Sequence, residues 1–274
     1  MLKRILLILA LAALISGCVN KQMLKEQIAE AIRENPQIVL DALSERKMDM
    51  LVLLEQGISE REKLKREAKL EAEIKNPLKP RIQAERILLG NPDAPVTIVE
   101  YSDFLCPYCS KGANVVSSLV QEQPEKYRLI FKHLPMNENS RQLALFFESL
   151  AILDKTKAYH FHNLVFKRQK ELYEDKSGDV LSVILDEIGV DYEQLQKISN
   201  SVQVQEVLLA DEKEAGEFKI NATPTFLING VVVRGYLPAD RFEKMVDLIL
   251  EKIEPEAAGV TQEGEVCEDC LNQM

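Results

Sequence analysis

The sequence is poor in positive charge and in long apolar runs, and each shortage excludes a class of function. It has 34 Lys and Arg residues against 44 Asp and Glu residues, which gives a formal net charge of −10 at pH 7. Because nucleic acid is bound through basic patches or stripes and none is present, we do not expect nucleic-acid binding. The longest apolar run, residues 5–15, has about eleven residues. A membrane-spanning helix needs roughly twenty, so this run is too short to cross a bilayer comfortably.

The N-terminal segment has the layout of an export signal. Two basic residues precede the apolar core of residues 5–15, and Gly17 and Cys18 follow it. The small residues before Cys18 resemble a bacterial lipobox, so we expect residues 1–17 to be a cleaved signal peptide and Cys18 to be lipidated. The alternatives are an ordinary signal peptide cut near Gly17 and an uncleaved anchor. The protein is then expected in the bacterial cell envelope, on its periplasmic or extracytoplasmic side, anchored to a membrane that the sequence does not specify.

Residues 19–80 differ in character from the rest of the chain and are expected to form a helical stalk or linker. Apolar residues recur at helical spacing until Asn35-Pro36 interrupts them, and a second short helical pattern comes after the interruption. Residues 60–75 then alternate acids and bases around few apolar residues, a pattern typical of a helix that bridges solvent or joins partners through a narrow seam. The segment is expected either to oligomerise or to act as a monomeric spacer.

The chemistry is expected at the dithiol Cys106-Pro107-Tyr108-Cys109. It follows a β-branched apolar run at residues 96–99 and precedes a helical pattern, so the order is strand, short loop, dithiol, helix. Cys106 would lie in the first helical turn, where unpaired N–H groups and the helix dipole favour a thiolate and lower its pKa. Pro107 suits that turn because its missing N–H has no partner to lose. Cys109 could attack a mixed disulfide at Cys106 and release the substrate.

Two further features suit thiol chemistry. Glu100 lies six residues before Cys106 on the expected strand, where a buried acid could relay the proton of the second cysteine. Thr223-Pro224 directly precedes another apolar strand, and a proline at this place is a candidate for a cis peptide bond.

Together, the acid, the dithiol and the Thr-Pro segment resemble the DsbA-like branch of the thioredoxin superfamily. The resemblance covers roughly residues 85–254. It implies an α/β thioredoxin fold with an inserted helical subdomain, and an enzyme that exchanges disulfides with exported cysteine-containing proteins and with a membrane redox partner. It also implies that Thr223 and Pro224 face the dithiol and bind substrate together with Pro107 and Tyr108.

The resemblance extends to the stalk and sets the expected domain order. Residues 32–43 are similar to the N-terminal segment of ScsC-like proteins, in which a helical stalk can trimerise, so a homotrimer is one expectation. The thioredoxin domain is expected over residues 82–254, with a hairpin about Asn229-Gly230. A second strand is expected over residues 127–132, the helical insertion over 139–219 and the last helix over 238–253. Residues 255–274 are expected to form a flexible acidic tail.

The other thiols and the histidines are weaker candidates. Cys267 and Cys270 stand among acidic residues, which raise a thiol pKa and slow attack. An inert disulfide, a relay dithiol and a soft-metal site all stay open for this pair. Zinc at the main dithiol is disfavoured by the strand–helix context. His160 and His162 do not share a helix face, and His133 is expected to be structural, so no metal is expected at the histidines. No cofactor is expected.

The expected function is an exported, lipid-anchored thiol–disulfide oxidoreductase whose direction of electron flow is open. The dithiol, the Thr before Pro224 and the possible stalk resemble isomerase-type relatives such as DsbG and ScsC, without settling the matter. Because the phenol of Tyr108 is less able than a histidine or a lysine to stabilise a thiolate by charge, Cys106 is expected to be less acidic than in the most oxidising relatives. The alternatives are a non-enzymatic chaperone or adaptor for exported clients, and a metal-handling lipoprotein.

Overall fold

The computed structural model describes residues 21–258, and the chain divides into two compact units after Arg61. The expected signal peptide, Cys18, Cys267 and Cys270 lie outside the described residues, as does most of the expected tail. In the described part of the chain, no helix combines the length and the apolar character needed to cross a membrane.

The first unit is helical and leaves many apolar side chains exposed. Helix α1 (Lys21–Glu34) and helix α2 (Gln37–Glu45) are separated at Pro36, as the sequence pattern predicted. Helix α3 (Lys47–Lys75) begins in this unit and includes residues 60–75, for which the sequence predicted a highly charged helix. The exposed large apolar side chains of the unit are Met23, Leu24, Ile28, Ile32, Ile38, Leu40, Leu43, Met48, Leu51, Val52, Leu53, Leu54 and Ile58.

The second unit is built on a mixed β-sheet. Its strands within the described residues are β1 (Ile87–Gly90), β2 (Val96–Ser102), β3 (Tyr127–His133), β4 (Thr225–Ile228) and β5 (Val231–Arg234). They lie in the order β1-β3-β2-β4-β5. As predicted, β2 and β3 are parallel, and helix α4 (Pro107–Glu122) connects them; the other neighbouring pairs are antiparallel. Every residue of β2 is buried, since this strand lies at the centre of the sheet.

Strand β1 is the element that the sequence pattern missed. Residues 87–90 form a four-residue strand that pairs antiparallel with β3. Gly90 has a φ of 87° and lies against Tyr127 so closely that a Cβ would be 2.0 Å from its carbonyl oxygen. So short a strand, ending in glycine, gives almost no alternation from which to predict it.

Helices fill the connection between β3 and β4. They are α5 (Glu138–Leu153), α6 (Lys155–Lys167), α7 (Gln169–Glu174), α8 (Asp179–Glu187), α9 (Tyr192–Ser199) and α10 (Val202–Glu217). Side-chain caps at Asn137, Asp154, Asp191 and Ser201 begin four of them. Helix α11 (Ala239–Ala258) follows β5 and continues beyond residue 253, so residues 255–258 are helical and do not belong to a tail.

Apolar layers cover both faces of the sheet. Helices α4 and α11 pack on one face, around Ile98 and Phe226. On the opposite face, Ala215 of α10 packs with Val99 and Tyr101. A third cluster joins the insertion helices to Phe104 and includes Cys109, so the insertion seals the inner side of the dithiol from water.

The last turns of α3 belong to the core of the second unit. Leu70 and Ile74 are only 2 % and 6 % exposed and pack in the same cluster as the sheet. Beyond the helix, the N–H of Leu78 donates to the carbonyl of Gly230 at 2.9 Å. The boundary expected between residues 80 and 82 therefore lies too late in the chain. The sequence shows these two apolar positions four residues apart in a highly charged stretch, but it does not show that they pack against the sheet.

A buried charge network connects β3 with the insertion. Arg86 donates to Asp211 at 2.6 Å and to Glu148 at 2.7 Å. Glu148 also lies 2.9 Å from Nε2 of His133, which confirms the structural role expected for that histidine. Next to it, the buried ammonium of Lys132 pairs with Glu214. Each of these charged groups contacts a group of opposite charge or a histidine, so the network can be buried without leaving an unpaired charge.

Candidate active site

The two cysteines of the dithiol lie in different environments at the start of α4. Cys106 is the N-cap residue of that helix, with extended backbone angles, and Pro107 occupies the first helical position. Cys106 is partly buried, whereas Cys109 is 0 % exposed and packs in the aromatic cluster. Both thiols are free, so the structure is that of the reduced state. Only Cys106 presents its sulfur toward solvent.

The surroundings of Cys106 favour a thiolate. A hydrogen bond from the Cys109 thiol, against the opposing effect of partial burial, lowers the pKa of Cys106 to about 5. The backbone N–H groups of Cys109 and Tyr108 and the side chain of Thr223 lower this pKa further. The direction confirms the expectation for a thiol at a helix N-terminus. That Cys106 is less acidic than in the most oxidising relatives stays a prediction.

The surroundings of Cys109 favour the neutral thiol. Burial raises its pKa most, followed by the hydrogen bond to Cys106 and the negative charge of Glu100. Its sulfur accepts a hydrogen bond from the N–H of Asp103 at 3.4 Å, which lowers the pKa and offsets part of this effect. At neutral pH the pair therefore shares one proton, held on the buried sulfur.

Glu100 is the buried acid beneath the dithiol. It is 0 % exposed on β2, and its Oε1 accepts a hydrogen bond from the hydroxyl of Ser102 at 2.8 Å. Its other oxygen, Oε2, is buried without a hydrogen-bond partner in the described part of the chain. Burial raises the pKa of Glu100 to about 8; the Ser102 hydroxyl opposes this rise, and the negative charge of Cys106 adds to it. A carboxyl with such a pKa can take up or release a proton near neutral pH.

The Thr223–Pro224 loop lies against the dithiol, as the resemblance implied. The peptide bond between these residues is cis, and Sγ of Cys106 lies 3.5 Å from the carbonyl oxygen of Thr223. Helix α4 approaches the loop closely at Gly112, where a Cβ would be 2.9 Å from Phe226 and 3.5 Å from Pro224. Glycine at this position therefore lets the dithiol helix and the loop lie side by side.

Sequence reasoning missed two residues that hold the active-site loop. Asp103 accepts hydrogen bonds from the N–H groups of Leu105 and Met136, each at 2.6 Å. An Asp two residues before a turn N–H is an Asx-turn signal, so Asp103 could have been found. Gln169 of α7 donates to the carbonyls of Phe104 at 2.8 Å and Cys106 at 2.9 Å. No local pattern marks Gln169, because its partners lie more than sixty residues away.

The other candidates do not join this site. His162 is buried among aromatic rings with a pKa lowered by burial to about 4, and it shares no face with His160. Among residues 21–258, no group of three or more His, Cys, Asp or Glu side chains could hold a metal ion. Pro107 and Tyr108 are exposed at the rim of the site, where a substrate could reach them.

Comparison with known proteins places the site in a family. A family model described as thioredoxin matches residues 83–248. The probable disulfide bond formation protein D of Bacillus cereus is 29 % identical over 171 residues, which cover 60 % of this chain and 78 % of that protein.

Two solved structures extend the comparison. Oxidised BdbD from Bacillus subtilis superposes with a TM-score of 0.56 at 23 % identity, over 64 % of this chain and 97 % of BdbD. A linker-deletion mutant of Proteus mirabilis ScsC gives a TM-score of 0.53 at 16 % identity, over 86 % of this chain and 99 % of the mutant. Both likenesses show the thioredoxin fold. Because the family model spans the sheet, the dithiol and the insertion, the chain belongs to the thioredoxin family and is a DsbA-type thiol–disulfide oxidoreductase.

Proposed function

We propose that this protein is an exported, lipid-anchored enzyme that forms disulfides in exported cysteine-containing proteins through Cys106 and Cys109. The main support for this proposal is the difference between the two thiols. Cys106 is accessible and has a pKa of about 5, whereas Cys109 is fully buried. A thiolate stabilised in the reduced state is a good leaving group, which makes the disulfide of the pair oxidising.

The exchange consists of two displacements. In the disulfide state, a substrate thiolate attacks Cys106 Sγ, and the sulfur of Cys109 leaves and takes up a proton. A second substrate thiolate then attacks the substrate sulfur of the mixed disulfide, and Cys106 leaves as a thiolate. The substrate loses two electrons and gains a disulfide, while the enzyme is left as a dithiol. A membrane redox partner that accepts two electrons must restore the disulfide.

Glu100 is the proposed source and acceptor of the Cys109 proton. Its negative charge raises the pKa of Cys109, so the two groups interact electrostatically beneath the site. Its own pKa of about 8 lets it change protonation state near neutral pH. Cys109 is sealed from water, so an unpaired thiolate at this position would be costly. A buried acid that exchanges a proton with Cys109 avoids this cost.

The loop at Thr223 and Pro224 is the proposed binding site for the substrate polypeptide. The Thr223 carbonyl lies 3.5 Å from Sγ of Cys106, so a segment that presents its cysteine there must run along this loop. Strand-like pairing of main chains would hold it without demanding one sequence. Pro107 and Tyr108 would contact the same segment from the other side.

The location and assembly are also proposed. DsbA-like proteins act outside the cytoplasm, which agrees with the export signal and with lipidation of Cys18. The exposed apolar side chains of α1 and α2, including Ile28 and Ile32, support association between copies through this unit. A homotrimer is the arrangement that the resemblance to ScsC-like proteins implies.

The test uses protein from Val19 onward with its dithiol oxidised. We expect it to form disulfides rapidly in a reduced test protein, and we expect Cys106→Ser to abolish this. Reactivation of a scrambled protein by the reduced form, without rapid oxidation by the disulfide form, would instead show an isomerase. Client protection that survives Cys106→Ser, with neither redox activity, would show an adaptor and overturn the proposal.

A further inference from the structure

We propose that Lys111, held over the rings of Tyr108 and Tyr236, binds an acidic side chain next to the reacting cysteine of the substrate. The enzyme would thus prefer cysteines with a nearby Asp or Glu. This inference rests on the proposed function and names the substrate class of the same site.

The two tyrosines form a continuous surface from the dithiol to the cis-proline loop. Tyr108, between the two cysteines, is 58 % exposed. Tyr236 follows Gly235, whose N–H donates to the carbonyl of Pro224 at 2.9 Å. The two rings stack with their centroids 6.5 Å apart and an interplanar angle of 30°. A substrate segment lying along the loop would therefore pass beside both rings.

Lys111 brings a positive charge to this aromatic surface. Its Nζ lies 5.3 Å from the centroid of Tyr108 and 5.8 Å from that of Tyr236. The two ring faces attract the ammonium and limit its freedom to move away from the site. Within residues 21–258, no carboxylate lies within 4.0 Å of this ammonium, and its residue is exposed. Its N–H donors therefore stay available to an incoming carboxylate.

A contact between Lys111 and a substrate carboxylate would affect the reactivity of the substrate cysteine. A carboxylate beside a cysteine raises the thiol pKa and reduces the fraction of attacking thiolate. An ammonium at the site would neutralise that carboxylate during attack and recover reactivity. The chain as a whole is strongly negative, so it repels acidic segments at long range. A preference for them must therefore come from a local contact such as Lys111.

The experiment measures attack on the disulfide form by three reduced peptides. Each carries a single cysteine, and they differ only in having Glu, Gln or Lys two residues after it. We expect Lys111→Met to slow the Glu peptide about three- to fivefold relative to the Gln peptide, in the range of an exposed ion pair. Lys111→Arg should retain the wild-type ratio. High salt should shrink the difference, because exposed charges are screened.

The matched control is Lys126→Met. Lys126 also lies over a tyrosine ring, 4.9 Å from the centroid of Tyr127, but at the far end of the connection that contains α4. This variant should leave all peptide ratios unchanged. If Lys111→Met slows the three peptides equally, or not at all, the inference is overturned.

Reaction of the reduced protein with neutral dithiodipyridine separates this result from failure of the proposed function. A reactive Cys106 with unchanged peptide ratios would overturn the role of Lys111 alone. An unreactive Cys106 in the wild-type protein would remove the proposed function and this inference together.

Discussion

At the scale of single residues, the site depends on one contrast between two identical side chains. Cys106 and Cys109 are three positions apart, yet their pKa values move in opposite directions. Hydrogen bonds at the helix N-terminus lower the first, and burial under the insertion raises the second. Position in the fold, and not residue type, therefore decides which sulfur meets the substrate.

Titration of the reduced protein tests this contrast. We expect the ultraviolet absorbance of the thiolate to rise with a midpoint at about pH 5. Cys109→Ala should move the midpoint upward, because the Cys109 thiol is the first cause of the lowered pKa.

The same lowered pKa predicts how stability depends on pH. It lies below the ordinary cysteine value of about 8.5, so the stabilisation that Cys106 gives the reduced form is fully present above that value and is lost as pH falls through about 5. In denaturant unfolding, this contribution should raise the free energy of unfolding of the reduced form relative to the oxidised form as pH rises from about 5 to about 8.5. If the thiolate absorbance instead rose with a midpoint near about pH 8.5, the lowered pKa assigned to Cys106 would be wrong.

Glu100→Gln is the matching test for the buried acid. The pKa of Glu100 is raised from about 4.3 to about 8, so wild-type stability is lost relative to the Gln variant as pH rises through that window. We expect the variant to be more stable at about pH 9 by on the order of 5 kcal/mol, and equal near about pH 4, by denaturant unfolding.

The kinetic part of that test separates a proton role from a structural one. Resolution of a mixed disulfide by Cys109 should slow about tenfold or more in the Gln variant and lose its inflection at about pH 8. A stabilised variant that keeps the wild-type rate and pH profile would show an ordinary buried acid.

The sequence predicted where the dithiol lies and which peptide bond is cis, because both signals are local. Cys106, Cys109 and the cis bond at Pro224 follow from short patterns of strand, turn and helix. Gln169 could not be predicted, because its role depends on the insertion folding back onto the loop. Tyr236 was missed for the same reason: only the hairpin brings it beside Tyr108.

At the scale of elements, α3 shows how a charged sequence can conceal a packing face. Its sequence near residues 60–75 is dominated by acids and bases, yet Leu70 and Ile74 enter the core. Glu73 between them pairs with Arg234 at 3.1 Å, which fixes the helix against the end of β5. The helix end is therefore part of the catalytic unit.

Alanine substitution on α3 tests this docking. Leu70→Ala should lower the free energy of unfolding by about 2 to 4 kcal/mol, because it leaves a cavity in the core. Leu64→Ala, at a position that is 55 % exposed on the same helix, should change it by less than about 0.5 kcal/mol. Equal effects in denaturant unfolding would mean that the helix end is not docked.

At the scale of the whole molecule, the chain combines a catalytic unit with a helical unit that exposes apolar surface. Few soluble monomers expose so many large apolar residues together, which is why we propose association through the first unit. Sequence periodicity predicted α1, α2 and a charged helix over residues 60–75, and the structure joins residues 47–59 to that helix in one continuous α3.

Charge substitutions in the first unit test the association. Ile28→Glu combined with Ile32→Glu should reduce the mass of the protein from Val19 onward to that of one chain in light scattering. Leu153→Glu, an exposed apolar position in the catalytic unit, serves as the control and should leave the mass unchanged. A wild-type protein that is already monomeric would support the spacer instead.

Trapping of the mixed disulfide is the most direct test of the central claim that Cys106 exchanges disulfides and Cys109 resolves them. Protein from Val19 onward, with Cys267 and Cys270 changed to serine, is incubated in its reduced form with a symmetrical peptide disulfide. We expect Cys109→Ser to accumulate one peptide per chain on Cys106 by mass spectrometry, Cys106→Ser to carry none, and the intact dithiol to release peptide and become oxidised. An adduct on Cys109, or none in any variant, would contradict the account.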